Sequence, residues 1–158
     1  MSNFDFIEMK IPAKAEFVGV IRLSLSGIAN RMGFSYDDIE DLKIAVSEAI
    51  TNAVTHAYQG QENGEITIGF GVYENRLEVM VADNGESFKL NEVKDEIGPF
   101  EETESVESLR EGGFGLFLIE ALMDKVQINN NQGVIVWMTK YVNEVEVDLD
   151  DDQISSRS

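Results

Sequence analysis

The chain contains no cysteine, which excludes disulfide bridges, thiolate metal sites and cysteine nucleophiles together. It holds one histidine, His56, so any Ser-His-Asp triad would have to use that residue. Basic side chains are scarce as well. Twelve Lys and Arg stand against thirty Asp and Glu, a formal net charge of -18. Such a field repels nucleic-acid phosphates and anionic membrane surfaces, and it attracts a protein partner with a basic face. No apolar run approaches the ~20 residues of a membrane span, and the opening MSNFDFIEMK has no signal-peptide core. The expected address is the cytoplasm, with neither nucleic acid nor membrane as a direct partner.

What remains suits one globular domain: 158 residues, 43% of them hydrophobic. Residues 4–11 alternate Ile7, Met9 and Ile11 against Glu8 and Lys10, a strand that Pro12 stops. From 13 to 32 the apolar positions recur every three or four residues, predicting an amphipathic helix ended by Gly33. Ser35, followed by Asp37 and Asp38, caps a second helix running to about Tyr58. Strands are expected over 65–73 and 77–83, then, after a helix opened by Gly112-Gly113-Phe114-Gly115, over 126–130 and 134–141. The reading is α+β: a two-layer sandwich of a mixed, largely antiparallel sheet with helices on one face.

Between Glu86 and Gly112 the periodicity vanishes among nine acidic residues and Gly98-Pro99, which predicts a long functional loop. Residues 1–142 are expected to form the domain and 143–158 an acidic tail. There Asp148, Asp150 and Asp152 mimic the start of a calcium loop, but Gln153 stands where glycine is required.

Three segments carry chemistry. In SEAITNAVTHAY, Glu48, Asn52 and His56 fall four apart along one line of the helix. A carboxamide oxygen there suits Mg²⁺ and a carboxylate one turn away can take a proton from an attacking hydroxyl, although alone the trio describes a solvated helix face. Asp83-Asn84-Gly85 ends an apolar strand, where a carboxylate can accept from adenine N6 and Gly85 lets backbone approach a ring; alone it is a turn. Gly113 and Gly115 open a helix whose free N–H groups suit phosphate, without a P-loop or dinucleotide pattern.

In this order the three segments resemble the N-box, the adenine-contacting motif and the glycine box of the GHKL family of gyrases, Hsp90 chaperones, histidine kinases and MutL. With VWMTKY, they are similar to the anti-sigma-B serine-protein kinases. The resemblance implies ATP and Mg²⁺ as cofactors, a homodimer, a sigma-B type RNA polymerase sigma factor as partner, and an anti-anti-sigma protein as the serine substrate. It implies Glu48 as general base, Asn52 as Mg²⁺ ligand, Asp83 at adenine, Gly85, Gly113 and Gly115 at the phosphates, and a lid over 86–112. It also implies Arg110 near the γ-phosphate and Thr139 near adenine. Ser87 stands where many relatives have a second glycine of the adenine motif. The alternative function is an ATP-gated binding module without significant kinase activity.

Overall fold

The computed structural model describes residues 3–58, 64–83, 114–129 and 135–142. Strand β1 is Phe4–Pro12; a single 3-10 turn, Ala15–Phe17, leads into helix α1, Val18–Met32. Helix α2 is Tyr36–Tyr58, strands β2 and β3 are Glu65–Tyr73 and Arg76–Ala82, and helix α3 is Phe114–Leu122. Strands β4, Lys125–Asn129, and β5, Ile135–Tyr141, complete a five-stranded sheet of order β1-β2-β3-β5-β4. Every described pairing is antiparallel, so the sheet is not mixed within these residues. The lid span 86–112 and the tail 143–158 lie outside the described residues.

The boundaries follow local chemistry. Gly33 adopts φ +94°, the left-handed conformation that ends α1, and its amide reaches the carbonyls of Ala29 and Asn30. Ser35 Oγ then accepts from the Asp38 amide at 3.1 Å and opens α2. Only Glu74 and Asn75 separate β2 from β3, a two-residue hairpin connection.

Strand alternation sorts the sheet into two faces. Ile66, Ile68 and Phe70 of β2, Leu77, Val79 and Val81 of β3, and Val136 and Met138 of β5 turn towards the helices. They bury themselves against Ile21, Leu25, Leu42, Val46, Ile50 and Ile119. Met80 and Trp137, paired in register, form a smaller cluster on the opposite face with Phe6 and Ile135 packed against them. Helix α2 lies between its neighbours, touching α1, α3, β2 and β3. Burial of these side chains, at about 25 cal/mol per Å² of apolar surface, is what fixes the helices on the sheet.

Candidate nucleotide site

One buried cation marks where the two site-bearing helices meet. Lys140 sits at an inward step of β5, its side chain 11% exposed. Its Nζ donates to the carbonyl oxygen of Leu122 at 2.6 Å, at the C-terminal end of α3. The same Nζ lies 3.9 Å from Asp38 Oδ1 and 3.7 Å from Asp41 Oδ2, at the start of α2. The start of α2 and the end of α3 therefore meet at one end of the sheet, and the two helices run antiparallel towards the other.

Distances along the elements show what meets there. From Asp41 to Asn52 the helix rises about 16 Å at 1.5 Å per residue. From Lys140 back to Ile135, β5 covers about the same 16 Å at ~3.3 Å per residue. Ile135 pairs with Ala82, the residue before Asp83. Glu48 and Asn52 on α2, Asp83 after β3 and the first turn of α3, which includes Gly115, thus share one end of the molecule.

Orientation around α2 agrees with this. Ser47 Oγ accepts a hydrogen bond from Arg22 Nε at 3.2 Å, so that flank of α2 faces α1. Asp41, Glu48 and Asn52, spaced seven and then four apart, occupy a single stripe on another flank. Asp41 shares Lys140 with α3, so the stripe runs along the α3 side. Glu48 is half-buried and Asn52 exposed; Asp83 is half-buried, with its Oδ2 shielded from solvent. His56 belongs to α2 one turn beyond Asn52.

The donor set fits magnesium in one specific way. Among the described residues no group of three or more His, Cys, Asp or Glu gathers in a metal-holding cluster. The exposed Asn52 carboxamide would provide one hard oxygen beside the phosphates, and Mg²⁺ ordinarily takes few protein ligands, keeping water and phosphate oxygens for the rest.

Thr139 requires a correction. It pairs with Glu78 and Lys125, on the face of the sheet turned away from the helices, and it neighbours Lys140 at the wrong end. It is separated from Asp83 by the thickness of the sheet and by most of the length of β5. The cause is parity: a strand residue one step from an inward position points outward. Gly85, Arg110 and Gly113 lie outside the described residues.

Two contacts escape a reading by motif. A lysine at an inward step of VIVWMTKY breaks the apolar alternation, and that break is the signal that could have marked Lys140. Arg22 had no comparable signal, because an arginine on an amphipathic helix is ordinary.

The model of the histidine kinase-like ATPase domain matches residues 11–140, which span every strand and helix of this site. The chain belongs to the histidine kinase-like ATPase family. The GHKL resemblance of the three motifs is thereby borne out. Within the family, the chain is 69% identical over 156 residues to the serine-protein kinase RsbW of Oceanobacillus iheyensis, covering 99% of both chains. It is 58% identical to the serine-protein kinase RsbW of Bacillus subtilis over 94% of this chain and 93% of that one. The solved RsbU and RsbW domains of a Mycobacterium tuberculosis protein share the fold, with a TM-score of 0.61 and 19% identity, over 87% of this chain and 32% of that one.

Among the described residues no helix is long and apolar enough to cross a membrane.

Proposed function

We propose that this chain is an ATP-dependent serine-protein kinase and anti-sigma factor, which phosphorylates an anti-anti-sigma protein on serine and otherwise holds a sigma-B type RNA polymerase sigma factor. The observation that carries the reading is the convergence of the Glu48 and Asn52 stripe, Asp83 and the start of α3 at one end of the sheet. Near-complete coverage of relatives named serine-protein kinases supports the catalytic reading over an ATP-gated binding module.

In this reading Asp83 accepts from the exocyclic amine of adenine, and the backbone at Gly85, Gly113 and Gly115 lies along the phosphates, with Arg110 near the γ-phosphate. Asn52 Oδ1 would hold magnesium, which would offset charge on the phosphate oxygens. The half-buried Glu48 carboxylate accepts the proton of the incoming serine hydroxyl. The serine oxygen forms the new bond to the γ-phosphorus, the bond to the β-phosphate oxygen breaks, and ADP leaves with that electron pair. The charge of -18 steers a basic-faced partner, and we assign the chain to the cytoplasm as a homodimer.

The test is phosphoryl transfer from labelled Mg-ATP to a purified anti-anti-sigma protein. Glu48→Gln should bind ATP and transfer about 10²–10⁴-fold more slowly. Transfer at the native rate in that variant would remove Glu48 from the mechanism.

A further inference from the structure

We propose that Lys140 is a positioning residue for triphosphate binding, although it lies at the far end of the sheet from the nucleotide. The inference rests on the phosphate-binding role proposed above for the start of α3. Lys140 is the one described cation whose single ammonium joins both helices: the Leu122 carbonyl at 2.6 Å on α3, and Asp38 and Asp41 at 3.9 and 3.7 Å on α2.

The surrounding backbone fastens the same end. The Asp124 amide donates to the Thr139 carbonyl at 2.9 Å, and Asp124 Oδ2 accepts from the Tyr141 amide at 2.7 Å. Residues 139, 140 and 141 of β5 thus each grip the exit from α3. Of the three, only Lys140 also reaches α2.

The geometry is that of two levers with a common pivot. Helix α3 has nine residues and is about 13 Å long, so a 10° swing at its anchored end displaces its first turn by about 2 Å. Displacements of about 1 Å at a reacting or binding group are enough to cost one or two orders of magnitude. The Asp41 side of the pivot holds the stripe that continues to Glu48 and Asn52, so the ammonium sets the spacing between the helix bearing the carboxamide and the helix bearing the phosphate-binding amides. Adenine, held by Asp83 after β3, lies outside this linkage.

That asymmetry provides the test. Affinities for Mg-ATP and for adenosine are measured on the full chain carrying Lys140→Met, Lys140→Arg or Gly115→Ala, at a temperature where each variant is folded by circular dichroism. Lys140→Met should weaken Mg-ATP about tenfold and leave adenosine within about twofold, and Lys140→Arg, which keeps the charge and the donor, should recover most of the loss. Unchanged Mg-ATP affinity in folded Lys140→Met, or equal losses for both ligands, overturns the proposal. If Gly115→Ala leaves Mg-ATP affinity unchanged, the phosphate reading of α3 is what fails. Should Lys140→Met not fold, the Asp38→Asn, Asp41→Asn double variant carries the same comparison, with about a threefold selective loss for Mg-ATP expected and equal affinities overturning the proposal.

Discussion

Ser35 Oγ and the Asp38 amide are joined by a 3.1 Å hydrogen bond that closes the first turn of α2. The bond satisfies one of the free N–H groups at a helix start, while Asp37 and Asp38 complement the dipole there. Removing the hydroxyl in Ser35→Ala should cost about 1 kcal/mol. For a domain of this size the melting temperature should fall by about 2–4 °C. Thermal melts check it, and an unchanged melting temperature would mean that solvent caps the helix equally well.

Two glycines on or beside α1 should respond to alanine with opposite sign. Gly33 holds φ +94°, where a side chain is strained even though a Cβ would meet nothing within 4 Å. Gly33→Ala should destabilise by about 1 kcal/mol. A Cβ at Gly27 also meets nothing, but this position is inside the helix. Gly27→Ala should stabilise by about 0.5–1 kcal/mol. Urea midpoints at equal slope distinguish the two.

Phe70 is fully buried in the middle of β2, within the main cluster. Truncation to alanine leaves a cavity between sheet and helices and should cost about 3–5 kcal/mol. Denaturant titration measures the loss directly. A cost below about 1 kcal/mol would imply collapse of the neighbouring strands into the space.

Thr139→Val should leave nucleotide affinity unchanged, because the residue faces away from α2 and lies at the Lys140 end of β5. Calorimetric titration with Mg-ATP is the check. A loss of about tenfold or more would return Thr139 to the site and contradict the register of β5 against β3.

Helix and strand positions were legible because their signals are local. The Ser35 cap, the Gly33 stop and the alternation of β2 each depend on neighbours in sequence, and each falls where the pattern predicts. The candidate site was read as three motifs, and the family match bears out the resemblance that they carry. What motif spacing could not supply is parity and direction. Whether Thr139 or its neighbour faces the helices depends on the register with β3, and the end at which α2 and α3 meet is marked by a lysine 99 residues beyond Asp41 in the chain.

Strand order has a consequence for biogenesis. β5, the last of the described strands, is inserted between β3 and β4, so Arg76 waits for Tyr141 and Ala82 for Ile135 before the middle of the sheet exists. Such non-local pairing is slow to form, and until it does β3 offers an open apolar edge. During synthesis the first 82 residues can make β1, β2 and β3 with helices α1 and α2, yet they lack the strand whose Lys140 joins α2 to α3. Under the proposed function, the nucleotide site would therefore be completed only once β5 has been made, and an unfinished chain would have no assembled site with which to compete for ATP.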